Sequence, residues 1–416
     1  MAKDRPELDP REVAAAYYAL PLHKRCYKAL TREFGLPGTE AAGNRLGRMI
    51  RDLEDRGLIR HQVLRGENEL LPRNPELEDA LRHEFALRQA VVVDTSSLGP
   101  PKEPRSVRGE QWARYDDEIH ERLGGWGGRL LGSCLRLGDT LATGGGRGPY
   151  FAVLNSNVCA TQRFSGDILP LTGQISARAW NRRGSTGDAP PYLDADNVAS
   201  QLHSNLGTRG HVLSLNCPIT ELRQAPKTEG VDAAVLGIGA LGGGHRLKQF
   251  EHLDDVRSVR PLLRDINALA EEIEAEAGGA EAPFYHPVGD VCNCYFVVER
   301  EPGTRLGKRW RQLEGKVKEL NEAFKSATPE ALGRIAGEGM VLAVAGGPHK
   351  AYSIRHVLRN SRERTWITHL VTDQETAQWI LQKEKGSGNG DGADVRTAGA
   401  TGNAGARDDQ GKGGTA

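Results

Sequence analysis

Between residues 73 and about 384, short apolar runs alternate with longer stretches of helical spacing. Ala90–Asp94, Thr140–Thr143, Ile168–Leu171, His211–Leu215, Ala233–Ile238, Asn293–Val298, Met340–Ala345 and Trp366–Thr372 read as strands. From Val341 to Ala345 every position is small or branched and apolar, the mark of a strand buried on both faces. Pro75–Leu87, Val107–Leu137, Asp194–Leu206, Val256–Ala277 and Asp373–Lys383 have helical spacing, and Gly303–Ala327 reads as an added, charged helix. This rhythm predicts an α/β fold with a doubly wound, largely parallel, Rossmann-like sheet. Gly99–Arg108 and Arg182–Pro191 read as surface loops, and the Gly-rich, aperiodic stretch 385–416 as a disordered tail.

Residues 1–72 follow a different pattern and are expected to form a separate small domain. Asp9-Pro10 caps one helix, a second follows Pro21, and Thr39 and Glu40 open a third, with Leu46, Met49, Ile50 and Leu53 along one side. Leu58–Leu64 then reads as a strand, and a turn at Arg65–Asn68 leads into Glu69-Leu70-Leu71. Helix, turn, helix and a two-stranded wing is the order of a winged helix-turn-helix. The third helix would be the reading helix, with Asn44, Arg45, Arg48 and Arg51 on or near one side and Lys28 on the helix before it.

Charge sharpens that reading. Lys+Arg and Asp+Glu balance at 55 each over 416 residues, so any basic surface is local. From Pro21 to Gly66 there are ten basic against five acidic residues, an excess that suits phosphate contacts on DNA. There is no apolar run of about 18 residues, and MAKDRPELDP is too polar for a signal peptide, so a cytoplasmic protein without a membrane partner is expected. Six scattered cysteines fit reduced thiols.

The candidate chemistry lies in glycine turns that follow predicted strands, at the edge where open α/β sheets bind ligands. Gly346-Gly347-Pro348 leads into a helix with Lys350 in its first turn, a seat for an anion beside unpaired backbone N–H groups. Thr143–Pro149 (TGGGRGP) offers Gly145, Gly146 and Arg147. Gly237–Gly244, which contains Gly239, and His286–Asp290 read as two further turns. The second of these sets Asp290 to accept from sugar hydroxyls or to pair with Lys350. Cys292 and Cys294 lack a second Cys/His pair at metal spacing and read as buried small residues on one strand face. No nucleophile stands beside a base, no P-loop is present, and no cofactor is implied. Taken alone, these residues also leave open a sugar-phosphate isomerase or aldolase-like enzyme with an appended winged domain, with Asp290 as its general base.

An ordered set of segments resembles the SorC family of sugar-binding transcriptional regulators. It comprises Glu12–Tyr18 (EVAAAYY), Leu81–Asp94, Gly144–Gly148, Leu236–Gly239, Pro287–Asp290 with Tyr295-Phe296, Val344–Lys350 and Leu370–Leu381, spread over most of residues 9–384. The resemblance implies an effector domain similar in fold to sugar-phosphate isomerases but working as a sensor. It also implies Gly145, Gly146, Arg147 and Lys350 around the effector's phosphate, and Asp290 on its sugar part. Arg147 stands where the family carries Ser or Thr, and Thr172-Gly173-Gln174 matches a second glycine motif only loosely. The expected partners are operator DNA, a phosphorylated sugar or similar small anion, and further copies of the chain in a homodimer or homotetramer.

Overall fold

The computed structural model describes residues 39–55, 72–98, 110–136, 138–156, 165–173, 194–206, 210–215, 217–241, 254–277, 285–299, 307–364 and 366–382, with a few positions before residue 39. The first two predicted helices with Lys28, the wing, both surface loops and the tail lie outside the described residues. Helix α1 (Glu40–Asp55) is the third predicted helix. The Thr39 hydroxyl accepts from the Ala42 N–H at its start, as an N-cap threonine should. Leu46 is buried while Asn44 and Arg48 are exposed and Arg45 is half-buried, so the polar side of this helix faces outward.

From α2 (Pro75–Phe85) onward the predicted alternation is present. Strands β1 (Gln89–Val93), β2 (Leu141–Thr143), β3 (Ile168–Pro170), β4 (Ala233–Leu236), β8 (Met340–Val344) and β9 (His369–Asp373) form one sheet in the order β1-β9-β8-β4-β2-β3. Every pairing in it is parallel, and Leu342 of β8 sits between Val235 of β4 and His369 of β9.

Both faces of this sheet are covered, which explains the unbroken apolar runs. Val91, Val93, Leu141, Val235, Leu342 and Val344 point to one core, with α3 (Glu110–Cys134), α4 (Arg147–Asn155) and α5 (Ala195–Leu206). Ala90, Val92, Ala142, Leu236, Val341 and Ala343 point to the other. There they meet α2, α8 (Pro329–Glu338), α9 (Ala351–Arg364) and α10 (Gln374–Leu381). The helices after β2 and β3 therefore lie on the opposite side from those after β8 and β9, and the winding reverses between β2 and β4.

Three expectations need correcting. His211–Leu215 is no strand, because only Val212 bridges to Ile168. The second and third glycine turns run into strands, from Ile238 and from Val288, in their described parts. At Gly237 the chain leaves the parallel sheet and continues as β5 (Ile238–Leu241), which pairs antiparallel with β6 (Val288–Val291) and, through it, with β7 (Cys294–Val297). These strands pack with α6 (Arg260–Ala277) and α7 (Lys308–Ala323) around a third core that holds Tyr285, Trp310 and Phe324. Helix α8 was not foreseen, although the Thr328 hydroxyl accepts from Ala331 N–H and Pro329 opens the first turn. Among the described residues no helix is long and apolar enough to cross a membrane.

Candidate functional site

The turn after β8 is built tightly. Gly347 has φ 95°, left-handed backbone that favours glycine, and a Cβ on Gly346 would overlap Asp373 Oδ2. Pro348–Lys350 then forms a single 3-10 turn before α9. The Gly347 N–H, expected to be open to an external anion, donates instead to Asp373 Oδ2 at 2.7 Å. Asp373 is fully buried and its other oxygen accepts from the Thr376 N–H, so it caps α10 while it pins this turn. Here the anion seat predicted from sequence has an internal carboxylate.

The two predicted cations likewise face internal partners, supplied by α3. Arg147 follows Gly146, whose φ is 132°. Its guanidinium lies 3.5 Å from Asp116 Oδ2 and 3.4 Å from Asp117 Oδ1. Lys350 Nζ lies 2.7 Å from His120 Nε2, and His120 Nδ1 is 2.6 Å from the Asp116 carbonyl oxygen one turn earlier in α3. An imidazole that donates through Nδ1 to that carbonyl offers Nε2 as an acceptor to the ammonium. Beside Lys350, His349 Nδ1 stands 3.7 Å from Asp116 Oδ1. The turns after β2 and β8 thus open onto one stretch of α3.

Asp290 stands elsewhere than its expected turn. It lies in β6 opposite Gly239 of β5, where a Cβ on Gly239 would overlap Asp290 Oδ1. Its Oδ2 accepts from the Asn293 N–H at 3.3 Å, tying down the two-residue turn Cys292-Asn293. Both turn residues have positive φ, 52° and 60°, as a type I′ hairpin requires. That turn reaches the parallel sheet. Cys292 Sγ lies 2.7 Å from where a Cβ on Gly144 would stand, and Asn293 Nδ2 donates to Thr172 Oγ1. Strand β5 runs alongside the Pro348–Lys350 turn. Asp290 and Gly239 therefore border the Arg147–Lys350 rim through the second sheet, while Lys350 Nζ reaches His120 on α3.

Cys292 opens the turn and Cys294 begins β7, so they do not share one strand face as expected. Burial pushes the Cys294 thiol up to about 12, and the nearby Asp290 charge acts in the same direction. Burial raises Cys292 as well. Both thiols stay neutral, packed groups. Burial likewise raises the Tyr115 phenol, whose hydroxyl donates to Glu375 Oε2 at 3.1 Å beside the same end of the sheet. The rim is suited to holding charged or hydroxylated groups.

Sequence reasoning missed Asp116, Asp117, His120 and Asp373. The signal was present on α3, where Asp116 and His120 are four apart and so share a helix face. Asp373 was read only as the start of a helix, and its reach back to Gly347 is a tertiary contact.

Several solved structures of transcriptional regulators are similar to this chain. Full-length SorC, the sorbitol operon regulator of Klebsiella pneumoniae, is similar at 16% identity and a TM-score of 0.45, over 90% of this chain and 98% of that one. A DeoR family transcriptional regulator from Listeria monocytogenes is similar at 15% identity and a TM-score of 0.43, over 74% of this chain and 98% of that one. A transcriptional regulator from Streptococcus pneumoniae TIGR4 is similar at 15% identity and a TM-score of 0.45, over 74% and 95%. No family model matches the sequence, and no curated protein matches it either.

Proposed function

We propose that this protein is a DNA-binding transcriptional regulator whose operator affinity is set by a small anion, a phosphorylated sugar being the first candidate. The observation that carries this reading is the convergence of Arg147 and Lys350, which follow two different strands, on one stretch of α3 at the carboxyl ends of a parallel sheet. Two cations and two glycine turns at one rim suit an oxyanion. Gly145, Gly146, Arg147 and Lys350 face the anion in this reading, with Gly239 and Asp290 bordering its hydroxyl-bearing part.

The DNA side rests on the basic excess in residues 21–66 and on the outward placement of Asn44 and Arg48 on α1. Lys28, Arg45 and Arg51 complete that surface. Residues 1–72 are its domain, residues 73–384 the effector domain, and residues 385–416 a tail. Copies of the chain pair so that two reading helices address two half-sites.

The test is a thermal-shift screen of the full chain against phosphorylated sugars, repeated with Lys350→Ala. A compound that raises Tm in the wild type and leaves the variant unmoved supports the reading. An equal shift in both removes Lys350 from the site. Turnover of any compound in the same panel would favour the enzyme instead.

A further inference from the structure

We infer that the Asp116 carboxylate is an internal occupant of the anion seat, and that an external anion binds by displacing it. This rests on the reading of the rim as an anion site. Asp116 Oδ1 lies 3.6 Å from where a Cβ on Gly347 would stand, directly over the glycine turn. Its two oxygens face Arg147 Nη1 at 3.5 Å and His349 Nδ1 at 3.7 Å. A single carboxylate thus sits against the turn, the guanidinium from the neighbouring turn and the imidazole that precedes Lys350. That is the set of groups an incoming phosphate would meet.

Of the carboxylates at this rim, Asp116 is the one built to leave. Asp373 is fully buried, with short bonds to Gly347 N–H and Thr376 N–H, and its removal would undo both the turn and the cap of α10. Asp117 has a side chain only 10% exposed, against 23% for Asp116. The Asp116 distances of 3.5 Å to the guanidinium and 3.7 Å to the imidazole are longer than close hydrogen bonds. Its Oδ1 is buried without a hydrogen-bond partner among the described residues, although the side chain as a whole is 23% exposed. A carboxylate held at these distances, with one oxygen left without a hydrogen bond, is poorly satisfied, and a dianion with three acceptor oxygens outcompetes it for the same groups.

Displacement also supplies what a sensor needs. A ligand shifts a conformational equilibrium only through contacts that differ between the two states. With Asp116 in place, one carboxylate of α3 touches both turns, beside the separate contacts of Asp117 to Arg147 and of His120 to Lys350. With an anion there, the Asp116 contact is exchanged for bonds from the ligand to Arg147 and the turn, while the Asp117 and His120 contacts remain. Asp116 thereby sets both the affinity of the site and the contact that the ligand exchanges.

The experiment titrates inorganic phosphate into the full chain by calorimetry, for the wild type, Asp116→Asn, Asp116→Ser and the double variant Asp116→Asn/Arg147→Ala. Two single variants guard against one failing to fold. The expected result is binding about tenfold tighter or more in the single variants than in the wild type, with the gain lost in the double variant. Equal, measurable affinity in the wild type and the single variants overturns the role of Asp116 and leaves the anion site standing. No binding to any of the folded proteins overturns both.

Discussion

Lys350 Nζ lies 2.7 Å from His120 Nε2, joining the turn after β8 to the middle of α3. Hydrogen bonds to charged groups contribute about 1.5–3 kcal/mol. A double-mutant cycle on His120→Ala and Lys350→Ala, read by urea denaturation, should give a coupling of about 1 kcal/mol or more. Strictly additive effects would show that the two groups touch without stabilising each other.

Arg48 is exposed on α1, where the Leu46 side is buried. Each lost phosphate contact lowers the salt slope of DNA binding by about one ion. Arg48→Ala should therefore weaken operator binding and flatten its dependence on salt, followed by fluorescence anisotropy. Identical curves for wild type and variant at every salt concentration would remove α1 from the DNA surface.

Gly144 and Cys292 make a second coupled pair, because a Cβ on Gly144 would stand 2.7 Å from Cys292 Sγ. Overpacking of this kind costs about 1–3 kcal/mol. Gly144→Ala should lower stability by that order, and adding Cys292→Ala should restore part of the loss. Absence of any rescue would mean that the hairpin does not press on the first glycine turn.

Buried His369 and half-buried Asp194 predict opposite responses to acid. Burial, aided by the Arg88 guanidinium, lowers His369 from the ordinary 6.5 to about 4. As pH falls through that window the unfolded chain gains a proton that the native state refuses, so stability drops. His369→Gln should remove this part of the acid sensitivity. Burial raises Asp194 from 3.8 to about 6. Here the native state takes the proton first, so acidification from pH 6 towards 4 is stabilising. Asp194→Asn keeps an acceptor for the Asp196 N–H at the start of α5. It should stabilise the protein by about 1–2 kcal/mol at pH 7 and by little at pH 4. Denaturation midpoints measured from pH 4 to 7 decide both; an unchanged profile in either variant would reject its assignment.

What the sequence determined by itself was the alternation of elements. Runs such as Met340–Val344 carry apolar side chains towards both faces, and only a parallel sheet covered on both sides buries them all. The positions of the first glycine turn and of Lys350 followed, since each closes a strand whose end was already legible. The second and third turns were misread because glycine marks a turn and a strand position facing a bulky neighbour equally well. Gly239 is small to make room for Asp290, a partner about fifty residues away that no local pattern names. For the same reason only the tertiary structure decided what the two cations face. Hydrophobic periodicity is a local property of the chain, whereas the pairing of Arg147 with Asp116 and of Lys350 with His120 exists only once α3 is laid across the sheet.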